Sequence, residues 1–290
     1  MKLIVATCQF PVDGDVERNL RFILRQMKTA KARGAGVVHF PESALSGYPG
    51  VDMESFRDFD WDRLQKATRQ VMTLAATLGV WVILGSSHRL SGRHKPHNSL
   101  YIIDDRGRIV ERYDKMFCTG ERDGSTGDLK HFSPGDHFCV FKINGIRCGA
   151  MICHDFRYPE LYREYKRRGV QLMFHAYHNV RRNPAKQRKL NIHGIVVPAG
   201  MQVDAANNYM WISATNSSRR ASSWASFFVQ PNGIIVGSLR KNVTGVLINT
   251  VDTSQQFYDA SSAWRDRAMR GIYHSGVRVR DPRSEARTSL

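Results

Sequence analysis

Three short stretches each set a chemically capable side chain at the end of a strand-like segment. Val37-Val38-His39-Phe40-Pro41-Glu42 places a carboxylate after a short strand and a proline. Val110-Glu111-Arg112-Tyr113-Asp114-Lys115 closes a hairpin strand on a lysine. Gly149-Ala150-Met151-Ile152-Cys153-His154-Asp155-Phe156-Arg157-Tyr158-Pro159-Glu160 sets a cysteine between a strand and a helix. Strand ends are where a rigid scaffold meets a loop, and reacting groups are often sited there. A thiol nucleophile, a carboxylate that moves protons and a cation that stabilises an oxyanion would together suit acyl transfer. Singly, each has a plainer reading: a solvated or capping Glu, a surface Lys, and a free Cys acting as a small buried hydrophobe.

The elements that must hold these residues can be read from periodicity. Leu3–Phe10 alternates as a strand, and Val16–Arg33 places Leu20, Ile23, Leu24, Met27 and Ala30 on one helical face before Gly34-Ala35-Gly36 stops it. Residues 61–78 form a second helix ended by Gly79, and Val80–Ser87 a strand. Ser99–Asp104 and Ile109–Asp114 are joined by the turn Asp105-Arg106-Gly107, and His137–Ile143 and Ile146–Cys153 by Asn144-Gly145. A helix over Pro159–Arg168, a strand over Val170–His175, a long helix over Pro184–Asn207 and a strand over Tyr209–Thr215 follow. Ser226–Gln230, Gly233–Ser238 and Val246–Thr250 read as a closing meander. Strand–helix alternation early and hairpins late predict one layered α/β domain. From Thr253 on, the chain is polar and Arg-rich, which predicts a surface arm, an oligomer contact or partial disorder.

Composition narrows the class. Of 290 residues, 42% are hydrophobic and 24% charged, enough apolar surface to form a core. No apolar run approaches the ~18 residues that a membrane-spanning helix requires. Met1-Lys2-Leu3-Ile4-Val5 leads straight into a strand, with no small-residue cleavage site, so no signal peptide is expected. Five cysteines, an odd number in a chain this long, suit a reducing cytoplasm better than a disulfide framework. The 43 Lys+Arg against 26 Asp+Glu give a net charge of +17. The basic clusters at Arg163–Arg168, Arg181–Lys189 and Arg265–Arg287 lack the interleaved aromatics of a single-strand binder, and no zinc spacing, P-loop or recognition helix accompanies them. A nucleic-acid partner is therefore not expected, and a basic surface that attracts anionic substrates explains the charge equally well.

The order and context of Glu42, Lys115 and Cys153 resemble the nitrilase superfamily of carbon–nitrogen hydrolases. The resemblance covers residues 3–252 and includes Phe40-Pro41-Glu42…Gly47-Tyr48-Pro49, Ser133-Pro134-Gly135-Asp136 and Ser226…Pro231-Asn232-Gly233. It implies a four-layer αββα sandwich in residues 1–252, with 253–290 as a basic arm. Its implied triad is Glu42, Lys115 and Cys153, acting without metal or organic cofactor. Cys153 attacks the carbonyl or nitrile carbon, Glu42 shuttles the proton, and Lys115 with the backbone N–H of His154 stabilises the oxyanion. A fourth residue often lies between Lys and Cys; here it is Glu121, or else Glu121 is a loop residue paired with Arg122.

Pocket residues follow from the same resemblance. Asp155-Phe156-Arg157-Tyr158-Pro159-Glu160 is similar to carbamoylases and ω-amidase-like members, which makes Arg157 a fork for a substrate carboxylate. The alternative is a salt bridge from Arg157 to Asp155 or Glu160. His178-Asn179 resembles a pocket-lining carbamoylase stretch; otherwise His178 is a loop histidine paired with backbone. Tyr48 and His154 complete the candidate substrate contacts, although His154 departs from the aromatic residue usual after this cysteine. Asp204-Ala205-Ala206-Asn207-Asn208 stands where many members carry Arg-Ala-x-Glu-Asn, and Asn216 resembles the family's strand-end Asn. Cys8, Cys118, Cys139 and Cys148 compete less well as nucleophile, since none has a strand-to-helix turn of its own. The expected activity is hydrolysis of a small amide or N-carbamoyl compound by a homo-oligomer. The alternatives are a nitrile hydrolase, against which His154-Asp155 argues, and a basic nucleic-acid-binding or regulatory pseudoenzyme on the same scaffold.

Overall fold

A computed structural model describes residues 1–180 and 191–288 of the chain. The first half begins with β1 (Lys2–Gln9), α1 (Val16–Ala32), β2 (Val37–His39), α2 (Trp61–Leu78) and β3 (Trp81–His88). Asp15 caps α1 by accepting from the N–H groups of Glu17 and Arg18, and Asp60 caps α2 through Arg63 N–H. The buried face of α1 runs Val16, Leu20, Ile23, Met27 and Ala30, and that of α2 runs Leu64, Ala67, Val71 and Ala75. Both spacings keep one helical stripe on the sheet.

The hairpin β4 (His97–Ile103) and β5 (Ile109–Asp114) follows, then β6 (Val140–Ile143), β7 (Ile146–Ile152), α3 (Pro159–Arg167), β8 (Leu172–Ala176), α4 (Ile192–Asn208), β9 (Trp211–Thr215), β10 (Phe227–Val229), β11 (Ile235–Ser238) and β12 (Gly245–Asp252). The part of the expected long helix at 184–190 lies outside the described residues. The strands form two six-stranded sheets, β12-β1-β2-β3-β4-β5 and β11-β10-β9-β8-β7-β6. Strands β1, β2 and β3 run parallel in the first, and β7, β8 and β9 run parallel in the second.

Strand alternation explains the layers. Leu3 and Val5 join Val37, Ile83, Leu100 and Ile102 against Phe141, Phe174, Ile212 and Phe228 of the second sheet, while Ala6, Cys8, Val38, Val82 and Leu84 face α1 and α2. Helices α3 and α4 cover the other side of the second sheet through Tyr162, Tyr165, Val197 and Met201. The result is the αββα sandwich. Polar side chains also stitch the two sheets: Thr7 Oγ1 lies 2.7 Å and His39 Nδ1 2.9 Å from Ser213 Oγ.

One expectation is corrected. The last three strands are not a meander, because β11 pairs only with β10 and β12 crosses to the first sheet, antiparallel to β1 from Lys2↔Asp252 to Gln9↔Gly245. Periodicity fixes the face of a strand but not its neighbour. The chain after β12 lies against the second helical layer. Phe257 N–H donates to Tyr209 Oη, and Arg265 is buried with its guanidinium on Asn207 O and Asp259. Tyr273, Val277 and Val279 beyond it are exposed. Among the described residues, no helix is long and apolar enough to cross a membrane.

Candidate active site

Glu42, Lys115 and Cys153 meet at one end of the sheet–sheet seam. Glu42 follows β2, Lys115 follows β5, and Cys153 follows β7, so the first two come from one sheet and the thiol from the other. Gly85 in β3 permits the approach of the Glu42 segment: a Cβ there would sit 1.9 Å from Pro41 O. Lys115 is fixed by its own N–H to Asn98 O at 2.9 Å and by Gly135 N–H to its carbonyl at 2.8 Å.

The Glu42 carboxylate is fully buried and accepts from three sides. Oε1 takes Asn98 Nδ2 at 2.8 Å and Lys115 Nζ at 3.0 Å, and Oε2 takes the His178 backbone N–H at 2.8 Å. Lys115 Nζ also pairs with Asp128 Oδ2 at 2.7 Å. Burial disfavours the ammonium, but Asp128 and Glu42 outweigh it and hold Lys115 well above the ordinary lysine range. Lys115 is thus a fixed cation, unsuited to act as a base.

Cys153 sits in the left-handed region at φ 44°, a backbone strain that non-glycine residues rarely carry. Two contacts hold it there. His175 Nε2 lies 3.2 Å from Cys153 O while Tyr162 Oη lies 2.6 Å from His175 Nδ1, and Ile152 N–H donates to Asp155 Oδ2 at 3.0 Å. Burial pushes the Cys153 thiol well above its ordinary range; the Glu42 charge adds to this, and Lys115 opposes it without prevailing. Burial thus favours the thiol over the thiolate, so a nucleophilic role for Cys153 would need a neighbouring base to take its proton.

Asp155 ties the two sheets together at the site. Its buried carboxylate accepts from Ile152 N–H beside the thiol, from Tyr113 Oη at 2.7 Å and from Phe117 N–H at 2.9 Å. Burial raises its pKa to about 6 despite Lys115 and these donors. With its carboxylate so engaged, Asp155 is not an ion-pair partner of Arg157, whose exposed guanidinium lies over the Phe156 ring at 4.7 Å.

The structure places Glu121 elsewhere than expected. It is exposed, and the second carboxylate on Lys115 is Asp128. The reason is local. The loop after Thr119 closes on itself, with Gly127 at φ 59° where a Cβ would meet Thr119 O at 2.7 Å. Thr119 N–H donates to Asp128 Oδ2 at 3.0 Å and Asp128 N–H to Thr119 Oγ1 at 3.1 Å. This turn carries Glu121 outward and returns Asp128 to the lysine. Tyr48 Oη donates to Asp128 Oδ1. Burial pushes the Asp128 carboxyl up, but Lys115, Tyr48 and Thr119 together hold it below the usual range. Asp128→Asn is expected to lower kcat about 10²-fold, by analogy with loss of one preorganised charge, while Glu121→Gln leaves kcat within about twofold. Equal losses in the two variants would show that the Lys115 pairing does not matter.

The other expected contacts fall as follows. Tyr48 and His178 pack edge to face at 5.3 Å beside Glu42 and Asp128. His178 is buried, and Nε2 lies 2.5 Å from Asp52 Oδ2. Asn179 N–H donates to Asn216 Oδ1 at 2.8 Å, and Asn216 Nδ2 to Trp224 O, so Asn216 braces the turn that follows β8. His154 is partly exposed, stands edge to face with Tyr158 at 5.8 Å and is kept neutral first by burial and then by Lys115. Asn98, Asp128, Asp52 and His175 were not singled out from sequence; each lies in a stretch whose local pattern is that of an ordinary strand or loop. All five cysteines are free, and Cys8, Cys139 and Cys148 are buried in the core. Among the described residues, no group of three or more His, Cys, Asp or Glu side chains gathers as a metal site.

A family model described as carbon-nitrogen hydrolase matches residues 4–257, nearly the whole chain. The chain belongs to the carbon-nitrogen hydrolase family. The "Hydrolase in agr operon" of Staphylococcus lugdunensis is 33% identical over 144 residues, which are 48% of this chain and 57% of that protein. The 2-oxoglutaramate amidase of Bacillus subtilis is 25% identical over 179 residues, 60% of this chain and 64% of its own. The match to the glutamine-dependent NAD(+) synthetase of Thermotoga maritima is 30% over 152 residues, 51% of this chain and 25% of the synthetase. The chain thus spans from a quarter to just under two thirds of the length of these relatives. Among solved structures, an amidase of the nitrilase superfamily from Nesterenkonia AN1 superposes with a TM-score of 0.74 at 19% identity, over 93% of this chain and 96% of that one.

Proposed function

We propose that this chain hydrolyses a non-peptide carbon–nitrogen bond in a small amide or N-carbamoyl compound through a Cys153 thioester, releasing ammonia or an amine. The observation that carries the reading is the buried Glu42–Lys115–Asp128 cluster set against the Cys153 thiol. Glu42 takes the thiol proton as sulfur attacks the carbonyl carbon, and the oxygen gains the negative charge. Lys115 Nζ and the His154 backbone N–H stabilise that oxyanion. Glu42 then passes its proton to the departing nitrogen, the C–N bond breaks, and an acyl-enzyme remains. Water, deprotonated by Glu42, attacks the thioester, and the acid leaves as the thiol is restored. The thiol proton thus departs with the leaving nitrogen, and the proton that Glu42 takes from water restores the thiol.

Relatives support the substrate class. The Nesterenkonia amidase has been captured in complex with butyramide and with acrylamide, and carries the acetamide moiety of fluoroacetamide on its active-site cysteine. The deciding test is ammonia release from a panel of small amides, ω-amido acids, N-carbamoyl amino acids and nitriles, with Cys153→Ala alongside. Turnover on amides or carbamoyl compounds, lost in the variant, supports the reading; silence from the folded protein across the panel sinks it. Arg157 is the proposed carboxylate contact. Being exposed, it would meet the distal end of a substrate at the entrance, so Arg157→Ala should raise KM for ω-amido acids and spare uncharged amides.

The proposed setting is cytoplasmic, in keeping with five unpaired cysteines. The proposed assembly is a homo-oligomer. Ile192, Ile195 and Val203 of α4 are exposed, as are Tyr273, Val277 and Val279 of the C-terminal arm. Ending the chain after Gly271 keeps the Arg265 anchor and is expected to shift the protein toward monomer on sizing. An unchanged elution volume would remove the arm from the interface.

A further inference from the structure

The strongest unassigned feature is one buried nitrogen beside Glu42. His178 enters the site twice: its backbone N–H donates to Glu42 Oε2, and its ring Nε2 lies 2.5 Å from Asp52 Oδ2. The other ring nitrogen, Nδ1, is buried without a hydrogen-bond partner among the described residues, and the whole side chain is inaccessible.

The identity of the Asp52 partner sets the state of that nitrogen. Asp52 also accepts from Tyr48 N–H at 2.9 Å and from the Arg219 guanidinium. Burial pushes the Asp52 carboxyl up, but His178, Tyr48 N–H and Arg219 outweigh it and hold it below the usual range. An ionised carboxylate only accepts, so the hydrogen between the two side chains belongs to Nε2. In the neutral ring, Nδ1 then carries a bare lone pair. Covalent geometry keeps it within a few ångströms of the backbone N–H that holds Glu42, and so beside the Glu42 carboxylate. A buried acceptor without a donor is costly, and beside Glu42 a ligand that brings the donor would satisfy it.

We propose that His178 Nδ1 accepts an N–H of the substrate's amide or carbamoyl group, and that Asp52 is the positioning residue that fixes the required tautomer. The inference rests on the hydrolase reading above and narrows it. Substrates must present a hydrogen on the scissile nitrogen, so primary amides and carbamoyl groups are accepted and N,N-dialkylated amides rejected. Holding that N–H also turns the nitrogen lone pair away from His178, free to receive the proton that Glu42 returns. Arg219 acts at one remove, by keeping Asp52 ionised.

The test uses Cys153→Ala protein labelled with ¹⁵N in histidine, so that ligands bind without reacting. Two-bond proton–nitrogen correlation is expected to show His178 protonated on Nε2. Butyramide should shift the Nδ1 resonance, and N,N-dimethylbutyramide should not. In the otherwise wild-type enzyme, Asp52→Leu removes the acceptor that holds the proton on Nε2 and leaves the tautomer unfixed. KM for a primary amide should then rise about tenfold, the worth of one ordinary hydrogen bond, with a smaller change in kcat. Labelling of Cys153 by methyl iodoacetate, which has no N–H, should stay within about twofold, showing an intact site. His178→Gln, which retains an acceptor, should bind primary amides better than His178→Leu. Protonation of the starting ring on Nδ1, indifference of Nδ1 to butyramide, or equal response to the dimethyl compound would each overturn the proposal. If butyramide shifts Nδ1 but no panel compound releases ammonia, the acceptor role stands and the hydrolysis reading falls.

Discussion

Replacing Cys153 by Ala is expected to reduce ammonia release to background, a loss of at least ~10⁴-fold in kcat, as for removal of a covalent nucleophile elsewhere. The argument is that no other thiol can stand in. Cys8, Cys139 and Cys148 are buried in the core, and burial holds Cys8, Cys148 and Cys139 far into the protonated range. Cys118 is partly exposed but raised to about 12, chiefly by burial. The same substitution should leave the melting temperature nearly unchanged, since the side chain removed is small. It should also remove the backbone strain's purpose without removing the strain, because φ 44° at residue 153 is held by His175 and Asp155. Steady-state ammonia release and a thermal scan on the same preparation check both halves. Residual turnover above about one per cent would rule out the thioester route.

Lys115→Met should cost both activity and stability. In catalysis it removes a preorganised cation from the oxyanion, worth about 10²–10³-fold in kcat. In the fold it leaves Glu42 and Asp128 buried without the ammonium they share at 3.0 and 2.7 Å, and breaking such a pair costs about 3–5 kcal/mol. The pH dependence gives the prediction its sign. In the wild type, Lys115 outweighs burial and holds Asp128 below the carboxylate range, so Asp128 contributes stability above its unfolded pKa that is lost as pH falls. Without Lys115, burial raises Asp128 instead. Its contribution is then present at low pH and lost as pH rises through the raised value. The difference in melting temperature between wild type and variant should therefore be small near pH 4 and large near pH 8. A gap that is constant with pH would mean that Lys115 is not what keeps Asp128 charged.

Much of this arrangement was legible before the fold was known, and the reasons are physical. Glu42, Lys115 and Cys153 each stand at the end of a strand, and strand ends are where a sheet can present a polar group without burying unpaired backbone. The mixture of strand–helix units and hairpins pointed to a layered α/β domain, and the resemblance implied the four-layer sandwich, in which Leu3 and Val5 face one side and Ala6 and Cys8 the other. Two things were hidden. Asp128 reaches Lys115 through a loop that doubles back at Gly127, and no spacing rule distinguishes it from Glu121, which is closer in sequence. The destination of β12 was hidden because both sheets offered an antiparallel edge to an alternating strand, and only the ladder from Lys2↔Asp252 to Gln9↔Gly245 shows which was taken. His178 stood out through its neighbour Asn179, whereas its partner Asp52 lies 126 positions earlier in an unremarkable loop.

Cys153 and Glu42 hang from different sheets, and Asp155 is the clasp between those sheets, joining Ile152 of one to Tyr113 of the other and to Phe117 beyond it. The reaction centre is consequently a vernier on the alignment of two independently hydrogen-bonded slabs. A slip of a fraction of an ångström along their common face leaves every ladder intact yet separates sulfur from carboxylate. Heat should thus silence this chain before it melts it, with inactivation running ahead of the loss of secondary structure.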